Sequence, residues 1–224
     1  MKLGVLLPTF RYGAHDALTR ADAAAAAGID GVFAYDHLWP MGSPQRPSLA
    51  PFPLLSAIAS RHEDLVVAPL VARVGLVGTR HLVGEFETLL ALAPGRVIAA
   101  LGTGDKLSAP ENDAYGLAPL DPSQRRELLR EAAAALTPSM PVWIGAGAEE
   151  TNQIARDLGA SLNLWDGAPE RVAAMGEFGP VCWAGPVAKD LFVALNALRD
   201  AGSTWAVLTP DAPIDLLHEW RAAQ

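Results

Sequence analysis

The feature that most constrains this chain is an alternation. Short runs rich in leucine, valine and isoleucine occur eight times, at Leu3–Leu7, Gly31–Tyr35, Leu65–Val71, Arg96–Leu101, Pro141–Gly145, Ser161–Trp165, Pro180–Ala184 and Thr204–Thr209. Alanine-rich stretches of helical character separate them, near 15–27, 52–62, 80–92, 123–136, 149–158, 168–176, 187–200 and 211–223. A strand that is apolar at consecutive positions is one buried on both faces, which points to parallel pairing with helices packed outside. Eight such units predict a single (β/α)8 TIM-type barrel over residues 1–224. A doubly wound open sheet is the alternative, because the last strands begin at 161, 180 and 204, a tight spacing for strand, helix and two loops. Local chemistry marks several boundaries. Asp121-Pro122 reads as an N-cap followed by proline in the first helical turn. Gly28 and Gly159 stand where a helix ends in a left-handed residue.

Composition narrows the function. Half the residues are hydrophobic, enough for a sizeable core. The net charge is −8, and no basic cluster is longer than Arg125-Arg126, so nucleic acid is not an expected partner. No apolar segment is long enough to span a bilayer, and the first apolar run is closed by Pro8, too short for a signal-peptide core. The expectation is a cytoplasmic protein without a membrane partner. Cys182, the single cysteine, lies in the apolar run Val181–Ala184 and reads as a buried, inert thiol. No His-X-X-X-His or paired-cysteine pattern points to a metal, and no nucleophile elbow, phosphate-binding Walker loop or complete dinucleotide fingerprint is present.

In a barrel the site is built by the loops that leave the C-terminal strand ends. Those segments here are Pro8-Thr9-Phe10, Asp36-His37-Leu38-Trp39, Ala72-Arg73, Gly102-Thr103-Gly104-Asp105, Gly145-Ala146-Gly147, Asp166-Gly167, Gly185-Pro186 and Pro210-Asp211. His37 is suited to proton transfer near neutral pH, tuned by a carboxylate such as Asp36 or Asp105; the plainer alternative is a loop cap beside a rim histidine. The two Gly-X-Gly turns let backbone approach a planar ring or an anion. The second leads into a helix, so its amides are placed to hold a phosphate, although Glu149 and Glu150 follow and such turns are common in α/β folds. Trp143, Trp165, Trp183 and Trp205 fall in strands and read as core, with Trp165, at a strand end, able to reach the pocket together with Phe10 and Trp39.

Taken as a linked set, these segments resemble the luciferase-like superfamily of flavin- and deazaflavin-dependent oxidoreductases. The similar stretches are Gly4–Pro8, Ala26–Trp39, Pro94–Val97, Leu101–Asp105, Asn112–Gly116 and Pro141–Gly147, roughly the first two-thirds of the chain. The resemblance implies a (β/α)8 barrel. The Asp36-His37 pair and the Gly-Thr-Gly-acid turn are most similar to the branch that uses coenzyme F420. It implies His37 as catalytic histidine, Asp105 as catalytic carboxylate (commonly glutamate in the branch), and Gly145, Ala146 and Gly147, with Ala148, as the turn that holds the cofactor phosphate. Asp36, Thr103 and Gly104 would also meet the cofactor, and Leu70-Val71 fall where the family has a non-proline cis bulge that supports the ring. A homodimer acting on a small molecule is the usual form. FMN is the alternative cofactor, in a monooxygenase or in a non-catalytic flavin-binding protein. Relatives usually carry an insertion of tens of residues between the fourth helix and the Pro-Val-Trp-Ile strand; here only Thr137-Pro138-Ser139-Met140 intervene, which implies a more open pocket.

Overall fold

A computed structural model describes residues 1–40, 42–104 and 108–224. Its elements in chain order are β1 Lys2–Leu6, α1 His15–Ala26, β2 Gly31–Ala34, α2 Pro51–Arg61, β3 Val66–Pro69, β4 Ala72–Arg73, α3 Thr79–Leu92, β5 Ala99–Gly102, α4 Ala109–Ala114, α5 Pro122–Leu136, β6 Val142–Gly145, α6 Glu149–Leu158, β7 Ser161–Trp165, α7 Pro169–Met175, β8 Val181–Gly185, α8 Leu191–Asp200, β9 Trp205–Leu208 and α9 Ile214–Ala222. All strand pairs are parallel, in the order β3-β2-β1-β9-β8-β7-β6-β5-β4.

The two ends of that order are halves of one stave. The third strand read from the sequence, Leu65–Val71, ends at a cis peptide between Leu70 and Val71, and the same stave resumes beyond it at Ala72–Arg73. Its first half, β3, pairs with β2 and is bridged on the other side to Val97; Val67 N–H donates to Arg96 O at 2.9 Å and Ile98 N–H to Val67 O at 3.3 Å. Its second half, β4, pairs with β5. Nine short strands therefore close a barrel of eight staves, the architecture expected of the sequence.

Alternation along each stave separates two cores. Inside the barrel lie Leu6, Phe33, Ala68, Ile98, Ala100, Trp143, Cys182, Ala184, Trp205 and Val207. The rings of Phe33, Trp143 and Trp205 sit with centroids 5.5–5.7 Å apart and plug the lumen. Gly4 makes room for them, since a Cβ there would lie 2.4 Å from Phe33 Cε2. The opposite positions, such as Leu3, Val5, Val32 and Val67, meet the inner faces of the helices, including Ala17, Ala21, Ile58, Phe86 and Leu129. Both faces of each strand are dry, which is why the strands read as unbroken apolar runs.

The local signals hold. Gly28 and Gly159 are left-handed at φ 68° and 65°, and Asp121 forms a reciprocal capping box with Gln124. Trp143, Trp183 and Trp205 are buried, while Trp165 is 47% exposed at its strand end. Cys182 is fully buried and donates to Leu162 O, and burial pushes its thiol well above the usual range. Helix α4 was not read from the sequence. Among the described residues no helix is long and apolar enough to cross a membrane, and no cluster of potential metal ligands occurs.

Candidate active site

Strand β2 delivers Tyr35, Asp36 and His37 to the C-terminal mouth, where β5 also ends in Gly102-Thr103-Gly104. The Asp36 carboxylate accepts the backbone N–H of Arg73 at 2.9 Å, tying the loop after β2 to β4. Burial raises the proton affinity of Asp36 above the ordinary aspartate value, against the opposing hydrogen bond and charge of Arg73. His37 Nδ1 lies 3.0 and 3.1 Å from the two carboxylate oxygens of Glu111. Glu111, on α4, is only 2% exposed, and its Oε2 is 2.5 Å from Nη2 of the buried Arg73. One carboxylate thus bridges a histidine and an arginine, and the arginine supplies the charge that makes its burial tolerable. A carboxylate at Nδ1 selects the tautomer protonated there and leaves Nε2 with its lone pair; Nε2 has no hydrogen-bond partner among the described residues. This arrangement is suited to receiving and returning a proton.

Sequence reading missed Glu111. It lies in Ala-Pro-Glu-Asn-Asp-Ala, a segment without apolar periodicity, and the only available signal was an arginine at a strand end with no obvious counter-charge. Asp105, expected as the second acid–base residue, lies outside the described residues.

Aromatic side chains wall the mouth beside His37. Tyr35 stacks on Phe10 at 5.3 Å and 10°, meets Trp165 edge-on at 6.2 Å, and lies 6.4 Å from the His37 ring. Burial, helped by Asp211, pushes the Tyr35 phenol up to about 12, so it stays a neutral hydrogen-bonding group at physiological pH. Of the expected pocket residues, Phe10 and Trp165 are brought together with His37, and Trp39 is partly buried farther along the same loop.

Neighbouring staves end without side chains. Gly102 and Gly145 continue the inward-facing positions of Ala100 and Trp143. A Cβ on Gly102 would meet Val71 Cγ2 at 2.4 Å, so the Leu70-Val71 bulge packs directly on bare backbone. At Gly145 nothing lies closer than 3.7 Å to the position a Cβ would take. The result is a ledge of bare backbone at Gly145 beside the Val71 side chain. Arg125 Nη1 holds the carbonyls of Thr103 and Gly104 at 3.3 and 2.9 Å. In the turn before α6, Ala146 N–H donates to Asn163 O and Gly147 N–H to Asn152 Oδ1. Two of the amides expected to face a phosphate are therefore engaged within the chain. What the turn still offers is the start of α6, capped by Ala148 with no side-chain hydrogen bond, whose first amides have no helical acceptor. Asn152, 4% exposed, splints this turn and was not singled out by the sequence.

Residues 1–140 match the model of the luciferase-like monooxygenase family. The chain belongs to that family. An F420-dependent glucose-6-phosphate dehydrogenase of Beutenbergia cavernae is 31% identical to this luciferase-like chain over 147 residues, 65% of this chain and 42% of that protein. One of Nakamurella multipartita is 27% identical over 109 residues, 48% and 32% of the respective chains. The matched part spans less than half the length of either relative. Among solved structures, an F420-dependent secondary alcohol dehydrogenase in complex with an F420-acetone adduct is similar with a TM-score of 0.81 at 15% identity, over 97% of both chains. The F420-dependent tetrahydromethanopterin reductase of Methanopyrus kandleri gives 0.75 at 11%, over 98% of this chain and 96% of that one. Monooxygenase RslO1 from Streptomyces bottropensis gives 0.74 at 12%, over 99% and 97%. At these identities the likeness is one of fold. In this luciferase-like barrel only residues 137–141 join α5 to β6.

Proposed function

We propose that this luciferase-like chain is an oxidoreductase that binds coenzyme F420 across the barrel mouth and serves hydride transfer between the deazaflavin and a small organic substrate. The observation that carries the reading is the His37–Glu111 pair at the mouth, with Nδ1 engaged and Nε2 left for substrate. The two F420-dependent relatives support the choice of cofactor. When bound, the deazaflavin supplies the hydride chemistry, and the protein supplies orientation and electrostatics.

Each residue then has a task. His37 exchanges a proton with a substrate carbonyl or alcohol oxygen through Nε2. Glu111 fixes the ring's orientation through Nδ1, and Arg73 holds the Glu111 carboxylate in place. Phe10, Tyr35 and Trp165, with Trp39 on the rim, exclude water and favour an apolar substrate body. Asp36, Leu70, Val71, Thr103 and Gly104 border the ring, and Gly145–Ala148 with the start of α6 take the phosphate. Asp105 remains the proposed carboxylate toward the reduced ring. A cytoplasmic homodimer is the form we propose, with size-exclusion chromatography and light scattering as the check.

The short connection between α5 and β6 leaves the mouth less covered than in longer relatives. Leaving ~100 Å² of apolar ring surface uncovered costs about 2.5 kcal/mol, close to two decades of affinity. Separate fluorescence titrations with F420 and FMN at equal ionic strength test the reading. F420 is expected to bind more tightly than FMN, though weakly for the family. Tight FMN binding with no F420 binding would replace it with an FMN-dependent monooxygenase. Cofactor binding without turnover on any alcohol or carbonyl substrate would favour a non-catalytic carrier.

A further inference from the structure

Arg73 carries more hydrogen-bonding capacity than the chain uses. It is 5% exposed and Nη2 faces Glu111, yet Nε and Nη1 are buried without a partner among the described residues. Buried donors on a cation are costly to leave unmet, so these nitrogens favour an added acceptor. Arg125 shows the same pattern: Nη1 holds two carbonyls, while Nε is buried without a partner among the described residues. Both arginines line a single cavity of about 200 Å³ on the shoulder of the mouth, together with Thr103, Gly104, Ser108 and Asn112. That space suits one small group with a few waters and is too small for a flavin-sized ring.

We propose that this cavity is a binding site for an oxyanion, the carboxylate or phosphate group of a small ligand, held between Arg73 and Arg125. Guanidinium donors favour such oxygens over neutral acceptors. Among the described residues, the carboxylates facing the pair are Glu111 from α4 and Asp36 from the loop after β2. Glu111 engages one nitrogen of Arg73, and burial shifts Asp36 toward its neutral form, so the two cations are not outweighed. Glu111 also joins Arg73 to His37, which places the anion one carboxylate away from the proposed proton-transfer residue. The site itself stands on the arginines and the cavity; only the assignment of the anion to a substrate rests on the function proposed above.

The test is calorimetric titration of the purified chain with inorganic phosphate and, separately, acetate, against chloride at equal ionic strength. Saturable binding of at least one anion is expected, weakened about tenfold or more by Arg125→Gln and by Arg73→Gln. Arg73→Gln also disturbs Glu111, so Arg125→Gln decides if that variant fails to fold. No saturation beyond the chloride control, or undiminished affinity in Arg125→Gln, overturns the proposal. So does competition between phosphate and F420, which would give the site to the cofactor. Phosphate raising the KM of substrate without changing kcat would identify the anion as part of the substrate, and phosphate binding with KM unchanged would identify a separate small effector; the site stands in both. Because the anion titration needs no cofactor, a failure of F420 to bind would overturn the proposed function and leave this site untouched.

Discussion

A histidine whose Nδ1 lies 3.0 Å from a buried carboxylate, itself 2.5 Å from an arginine, has its tautomer and ring orientation set before any substrate arrives. His37→Ala is accordingly expected to slow turnover by about two to four orders of magnitude, the range of a positioned acid or base, with cofactor affinity nearly unchanged. Steady-state kinetics beside a binding titration check this, and near-normal turnover would reduce His37 to a rim residue. Glu111→Gln keeps the shape but leaves the Arg73 charge unpaired in the interior. Breaking a buried pair in this way costs about 3–5 kcal/mol, to be read from urea unfolding midpoints. Asp36 gives a pH signature. Its proton affinity is raised in the folded state, chiefly by burial, so its contribution to stability is full below the ordinary aspartate range and is withdrawn as pH rises through the raised value. Asp36→Asn, which still accepts from the Arg73 amide, should therefore melt higher than wild type at pH 8, and the gap should close toward pH 4. A gap independent of pH would show that burial is not the cause.

At the scale of elements, the legible parts are those whose causes are local. The capping box at Asp121, the left-handed Gly28 and Gly159 and the helix spans follow from residues within a turn of one another. The split of one stave into β3 and β4 is different. Apolar periodicity runs through Leu65–Val71 without a break, and the bulge is held by Gly102, a residue of the next stave. Gly102→Ala would drive a methyl into Val71 Cγ2. Overpacking of this kind costs about 1–3 kcal/mol, and because the bulge borders the proposed ring site, cofactor affinity should fall more than stability alone explains. Thermal melts with and without F420 separate the two effects. Helix α4 escaped notice for a related reason: six residues with little apolar content give no period to detect, and its one buried residue is charged.

For the whole molecule, closure depends on filling the lumen. Phe33, Trp143 and Trp205 occupy it as a mutually packed trio, with Gly4 left bare opposite Phe33. Trp143→Ala should cost about 3–5 kcal/mol and diminish the near-ultraviolet dichroism of the core; a smaller loss would mean that the lumen collapses around the gap. The sequence by itself determined a parallel strand–helix architecture, because two dry faces on the strands and a helix after each one are written residue by residue. That its eight units close into a barrel, and not an open sheet, is decided by the pairing of β3 with Val97 and of β4 with β5. The sequence also placed Asp36, His37 and the glycine turns at strand ends, since in a barrel those ends share one mouth. Only the tertiary structure decided what meets His37. Glu111 is 74 positions away in sequence, and it reaches the ring because β2, β4 and α4 converge there, with Arg73 offsetting the cost of burying it. Periodicity records which residues avoid water; it carries no record of which buried charge compensates which other, because that is fixed by distance in space once the barrel has closed.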